Sequence, residues 1–245
     1  VESNIVVVPD VHLEPGTSLD PSYLAVKRFV KDVKPTAIVA LGDFLEVGCF
    51  CHHDKRRKLK MEGKRYRSSV DQGFMELEYL ANNCEDLYFL MGNHENWVYE
   101  YIQEHPELDG AVDLVGDLGL DDLCRYWVEY GEYISVGKLN FTHGWKTNKH
   151  HAEATAREFG DHIFYGHTHD HQESTPHFRK DQAPYAAVSC GCLCSRNPSY
   201  MKKHVSSRWI NGFVYIEVRD NGEFNHHWLA ITGGRFTFGG HTWTA

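Results

Sequence analysis

Asp10-Val11-His12, Gly42-Asp43, Gly92-Asn93-His94-Glu95, His143-Gly144 and Gly166-His167-Thr168-His169 each begin within two residues of the end of a short apolar run. A single histidine in such a place is usually a polar residue satisfied by its neighbours. That does not explain eight groups (Asp10, His12, Asp43, Asn93, His94, His143, His167 and His169) at five run ends, in a chain with 17 His among 245 residues. Imidazole nitrogen and carboxylate oxygen together suit borderline divalent ions, and two such ions need about seven or eight donors with one carboxylate shared. Metal binding is therefore the chemistry these residues point to first.

Groups scattered over the chain meet only if the elements before them end side by side. Residues 5–8, 37–41, 87–91 and 162–165 read as short buried strands, and 133–142 as a hairpin turning at Val136-Gly137-Lys138. A second hairpin is expected where 213–218 and 224–231 flank Asp220-Asn221-Gly222, because Asn-Gly tolerates positive φ. Helical spacing covers 21–33 (Leu24, Phe29, Val30 and Val33 on the apolar side), about 68–82 and 150–159. Strands alternating with helices predict a layered α/β fold, and in open α/β sheets ligands bind beyond the carboxyl ends of the strands. With no internal repeat, low-complexity linker or Pro/Gly-rich boundary, residues 1–245 are expected to form a single domain.

Composition narrows the class. Apolar residues at 42% and charged residues at 24% are ordinary for a globular protein. No apolar run approaches the roughly 20 residues that span a bilayer, and no signal-peptide pattern precedes residue 5, so no membrane association is expected. Seven Cys without a spaced framework predict a reduced, intracellular, cytoplasmic protein. The formal charge of -9 speaks against whole-surface attraction to nucleic acid and leaves local patches open.

The five motif blocks, in this order over residues 10–169, resemble those of the calcineurin-like metallophosphoesterases. The resemblance implies a four-layer α/β sandwich, two central mixed β-sheets flanked by helices, with the 213–231 hairpin completing the second sheet. It further implies that Asp10, His12 and His169 hold one metal ion, that Asn93, His143 and His167 hold another, and that Asp43 bridges them. His94 would face the substrate instead of a metal. Two cations roughly 3.5–4 Å apart can share and acidify a hydroxide and clamp the oxygens of an in-line displacement at phosphorus. The leaving oxygen then needs a proton, which a non-ligating histidine can deliver. Glu46 and Glu95 are candidates to orient His94. Glu46 is preferred, because the related serine/threonine protein phosphatases carry a carboxylate at that offset from Asp43. Those enzymes follow it with a phosphate-gripping arginine, whereas Val47-Gly48 stands here, which argues against that activity. Manganese is the first choice for the two divalent transition-metal ions, and iron, zinc or nickel would suit the same donors.

Substrate choice rests on charge and aromatics. A basic insert near 52–67 carries eight Lys or Arg between Lys55 and Arg67, among them Lys55, Arg56, Arg57 and Lys58, and over that span Glu62 is the one acid. Directly after the Asp43 loop, such a stretch suits a polyanion such as DNA or RNA, whose phosphates are held by charge. It could equally be solvated surface, or pair with the acidic insert near 104–132, where nine acids face Arg125 alone. Trp97 and Tyr101 have the spacing of a buried helix face, while Trp145, next to His143-Gly144, is the better candidate for stacking on a base. Cys190, Cys192 and Cys194 read as structural thiols, and His171 is close enough in sequence to His169 to approach the site. The expected activity is hydrolysis of phosphodiester bonds in nucleic acid or nucleotides, with His94, Asp43 and Glu46 as the catalytic set. The alternatives are a broad-specificity phosphomonoesterase and a non-catalytic metal-binding scaffold like the family's retromer subunit, which typically lacks the catalytic histidine. Oligomeric state is open, a homodimer included.

Overall fold

The computed structural model describes residues 3–51, 58–177, 180–197 and 207–245. β1 (Ser3–Val8) sets the plan, because its side chains alternate between two cores: Val6 and Val8 face one way, Ile5 and Val7 the other. α1 (Pro21–Val33) begins where Asp20 accepts a hydrogen bond from the Ser22 N–H (2.8 Å) ahead of Pro21, and ends at Lys34 in the left-handed conformation. β2 (Ala37–Ala40) runs parallel to β1. α2 (Lys58–Met61) and α3 (Tyr66–Ala81) lead to β3 (Asp86–Leu90), parallel to β2. α4 (Asn93–Glu104), α5 (Leu114–Leu118) and α6 (Leu120–Leu123) lead to β4 (Tyr126–Val128), parallel to β3 at the sheet edge. The acidic stretch thus supplies an edge strand, and its Leu114, Leu118 and Leu120 are buried in the core around α1 and α3.

A second sheet follows. β5 (Tyr133–Val136) and β6 (Leu139–Thr142) form the expected hairpin, α7 (His151–Phe159) crosses over, and β7 (Ile163–Tyr165) runs parallel to β6. β8 (Glu173–Ser174) and β9 (Ala187–Ser189) complete the order β5-β6-β7-β9-β8. The chain then returns as the hairpin β10 (Gly212–Val218) and β11 (Phe224–Ala230), giving the first sheet the order β11-β10-β1-β2-β3-β4. This hairpin therefore completes the first sheet, not the second as expected. β1 has a parallel partner on one side only, and β10 fills its other edge antiparallel, from Ser3↔Val218 to Val7↔Val214. The alternation of β10 matches that of β1, with Val214 and Ile216 between the sheets and Phe213 and Tyr215 toward the helices. β12 (Arg235–Phe238) and β13 (His241–Thr244) form a separate hairpin over α1, where Phe29 meets Phe236 and Trp243 edge-on.

Three apolar clusters define the layers. Ile5, Val7, Val39 and Leu41 of the first sheet pack against Phe141, Phe164 and Val188 of the second. Tyr23, Phe29, Val70 and Leu77 of α1 and α3 cover the first sheet's outer face, and Ala156 of α7 covers Ile163, Tyr165 and Ala187 on the second's. The result is a helix–sheet–sheet–helix sandwich with both sheets mixed. Among the described residues no helix is long and apolar enough to cross a membrane.

Candidate metal centre

The loops after β1, β2, β3, β6 and β7 meet at one edge of the sandwich. Those of β1 and β2 stay paired beyond their strands, His12 N–H donating to Asp43 O (2.9 Å) and Leu13 N–H to Phe44 O (2.8 Å). Among the described residues six non-glycines have positive φ, and five of them are Asp10 (42°), His12 (49°), Asp43 (46°), His167 (69°) and His169 (57°). The sixth, Lys34, caps a helix. Each left-handed non-glycine costs about 1–2 kcal/mol, a strain that persists where the surroundings over-determine it and that clusters at functional sites. Gly42 (φ 88°) lies so close to the β3 loop that a Cβ there would sit 2.5 Å from Gly92 N and 2.8 Å from His143 Nδ1. Only glycine lets these two backbones touch.

The seven expected ligands come together in two groups. Asp10, His12, Asp43 and His169 each place one donor atom within 4.8 Å of the others, and so do Asp43, His143 and His167, making Asp43 common to both. In the first group His169 Nε2 lies 3.1 Å from Asp10 Oδ1 and 3.1 Å from His12 Nε2. In the second, Asn93 Oδ1 lies 3.1 Å from His143 Nε2 and 2.8 Å from His167 Nδ1, and Asp43 Oδ2 is 3.4 Å from His143 Nε2. The outer nitrogens of two rings are already engaged, His12 Nδ1 by Glu46 (3.0 Å) and His143 Nδ1 by the Leu41 carbonyl (2.7 Å). Their Nε2 atoms are thereby turned inward, as a carboxylate or carbonyl behind a ligating histidine does. Inward imidazole nitrogens beside the shared Asp43 carboxylate fit a divalent transition-metal ion in each group.

Electrostatics are consistent with a cation-binding centre. Burial works against the charged form of His12, but the Glu46 hydrogen bond and the charges of Asp43, Glu46 and Asp10 outweigh it and raise its pKa to about 10. Burial likewise opposes His143, and Asp43 and Asp10 raise it to about 9. Asp43 stays well below the usual carboxylate range despite burial, because His143, His94 and His12 surround it. Burial lowers His167 and His169, each further disfavoured by a neighbouring histidine.

His94 stands at the rim. Its backbone N–H donates to Asp43 Oδ1 (2.8 Å), its Nε2 is 3.9 Å from Asp43 Oδ2, and its ring stacks on Trp97 at 3.9 Å. Its Nδ1 lies 3.2 Å from Glu46 Oε2, at ion-pair distance but out of line for a hydrogen bond. Glu46 therefore sits between His12 and His94. Glu95 points elsewhere: fully buried, it accepts from Gly92 N (2.8 Å), Asp43 N (2.9 Å) and Leu45 N (2.9 Å), clamping the β2 and β3 loops together. That clamp was not expected from the sequence, although an acid three residues into a helix is a known capping signal.

Other expectations divide. Trp97 is 8% exposed and serves both the core and His94. Trp145 is 40% exposed and outside both ligand groups. Lys55, Arg56 and Arg57 lie outside the described residues, and Lys58 opens α2. Farther along the basic stretch, Lys64 lies against Gly48 and pairs with Glu14 (3.1 Å), while Arg67 pairs with Asp71 and with Asp117 of the acidic stretch (2.8 Å each). His171 stacks on Trp228 (4.0 Å) and its Nδ1 bonds Ser189 O, so its contacts are not with the ligand groups. All seven cysteines are free thiols, and Cys194 Sγ lies 3.8 Å from His169 Nδ1, behind the ligand face. Trp209 packs on the His169 ring at 4.1 Å, a contact between residues 40 apart that no local pattern announces.

Comparison with known proteins places the chain among phosphoesterases. Residues 3–171 match the family described as calcineurin-like phosphoesterase. The Gene 54 protein of Mycobacterium phage D29 is 22% identical over 240 residues, covering 89% of this chain and 91% of its own length.

Proposed function

This chain belongs to the calcineurin-like phosphoesterase family and is a metal-dependent phosphoesterase, and from that premise we propose that it hydrolyses phosphodiester bonds in nucleic acid or nucleotides. Asp10, His12 and His169 would hold one divalent ion, Asn93, His143 and His167 the other, with Asp43 shared. The observation that carries this is the membership of the Asp43 carboxylate in both donor groups. When bound, the ion pair supplies an acidified water and positive charge for the phosphoryl oxygens. Manganese is the first ion to test.

The chain's own residues do the rest. Asp43 holds the His94 backbone through Oδ1 while Oδ2 faces His12 and His143. Trp97 fixes the plane of the His94 ring, whose Nε2 would deliver the proton to the leaving oxygen. Glu46 steadies His12 by its hydrogen bond and places its Oε2 3.2 Å from His94 Nδ1, where it can orient the ring. Support for a polyanionic substrate comes from the basic stretch beginning at Lys55, whose Lys64 folds back against Gly48, two residues from Glu46. Trp145, exposed beside His143-Gly144, offers a face for a base. The seven free thiols suit a reducing compartment.

The test is hydrolysis of matched aryl phosphate diester and monoester by the manganese-loaded protein, run beside linear single- and double-stranded DNA. Preference for the diester with DNA cleavage is expected. Turnover by His94→Ala should fall about 10²–10⁴-fold with metal content unchanged. Preference for the monoester with intact DNA would overturn the diesterase assignment, and loss of metal in His94→Ala would overturn its role as acid.

A further inference from the structure

Behind the 166–169 ligand turn runs a buried polar chain that touches no candidate ligand side chain. Tyr165 Oη and His151 Nδ1 are 2.6 Å apart, and His151 Nε2 lies 2.9 Å from Asp170 Oδ1 and 3.1 Å from Oδ2. The Asp170 carbonyl accepts from Ser189 Oγ (2.6 Å) and Gly191 N (3.0 Å), and Ser189 Oγ meets Thr168 Oγ1 (2.8 Å). Tyr165, His151 and Asp170 are 0%, 2% and 6% exposed. Burying a histidine–carboxylate pair is seldom better for stability than packing apolar residues of the same volume, so stability alone does not account for it.

Geometry does. His167 and His169 flank Thr168 in left-handed backbone, at about 1–2 kcal/mol each, so the turn must be held from outside. His167 has an anchor of its own: its N–H lies 3.0 Å from both oxygens of Asp10. His169 precedes Asp170; its ring touches Cys194 and Trp209, and among the described residues no carboxylate is bonded to its Nδ1. We propose that His151 and Asp170 are a positioning pair that holds the His167-Thr168-His169 turn and thereby sets metal affinity at the Asp10–His12–His169 group more than at the Asn93–His143–His167 group. The inference rests on the two-metal assignment above and adds two residues to it, neither of which touches substrate.

Calorimetric titration of manganese into metal-free protein, with thermal unfolding of the same samples, tests it. Wild type should show two sites. In Asp170→Ala one site should weaken about 10–100-fold, the usual effect of removing a group behind a ligand, with the other within about threefold. Asp170→Asn, which keeps an oxygen for His151, should recover most of the loss. Unchanged affinity at both sites in an Asp170→Ala protein that merely melts earlier would overturn the positioning role, as would equal weakening of both. Should Asp170→Ala not fold, Tyr165→Phe removes only the far hydroxyl. Weakening of one site beyond that threefold margin would support the pair, and no such weakening would overturn it. A wild type that binds no manganese would overturn the metal assignment and the pair with it, whereas two wild-type sites with an unaltered variant would overturn the pair alone.

Discussion

Glu46 faces two histidines with different tasks: its Oε2 is 3.0 Å from His12 Nδ1 and 3.2 Å from His94 Nδ1. Removing its charge should therefore do what His94→Ala does not. Glu46→Gln is expected to weaken the metal site that contains His12 about 10–100-fold and to depress turnover as well, so metal content and rate separate the two variants. Titration follows from the same contacts. His12 and His143 are raised from 6.5 to about 10 and about 9 in the metal-free protein. A raised folded-state pKa stabilises the fold fully below the unfolded value and loses that contribution as pH climbs through the folded value. Metal-free protein should lose stability between about pH 6.5 and 10, while the metal-loaded form, its histidines already deprotonated, should not; thermal unfolding of both forms across that range checks this. At this scale the candidate ligands could be picked out, because motif residues follow strand ends. The tasks of His151 and Asp170 could not, because a buried carboxylate bonded to a distant ring has no local signature, and the capping position of Glu95 did not announce its reach to Asp43 and Leu45.

Among the elements, α4 shows how one helix is fixed to the centre it serves. Its third residue, Glu95, accepts from Gly92 in its own cap and from Asp43 and Leu45 in the loop after β2. Each buried donor left without an acceptor costs about 1–3 kcal/mol, so Glu95→Gln, whose amide nitrogen must face at least one N–H, should lower unfolding free energy by about 1–3 kcal/mol in urea denaturation. Helix α1 and the β5–β6 hairpin were readable to within a residue or two, since the apolar spacing from Pro21 to Val33 and the turn Val136-Gly137-Lys138 mark them. β4, β8 and the β12–β13 pair were not: they have two to four residues each and little buried apolar alternation. The β10–β11 hairpin was visible as a hairpin, but its sheet was not, because the free edge of β1 that it joins lies more than 200 residues away in sequence.

For the molecule as a whole, a formal charge of -9 has to coexist with an anionic substrate. Screening makes this possible: at physiological salt the Debye length is about 8 Å, so distant acids are muted while a cation beside the site is not. Part of the basic stretch is already committed, Arg67 to Asp71 and Asp117 and Lys64 to Glu14. The proposed attraction for a polymer is assigned to the stretch's beginning, Lys55, Arg56, Arg57 and Lys58. A polymer carries many phosphates, whereas an aryl diester offers a single one. Replacing Lys55, Arg56 and Arg57 with Gln should lower kcat/KM on duplex DNA and flatten its dependence on log salt by about 0.9 for each phosphate no longer neutralised. Aryl diester hydrolysis should change far less. Equal loss on both substrates would mean that the stretch shapes the catalytic loop instead of guiding a polyanion, and no loss on either would return it to solvated surface.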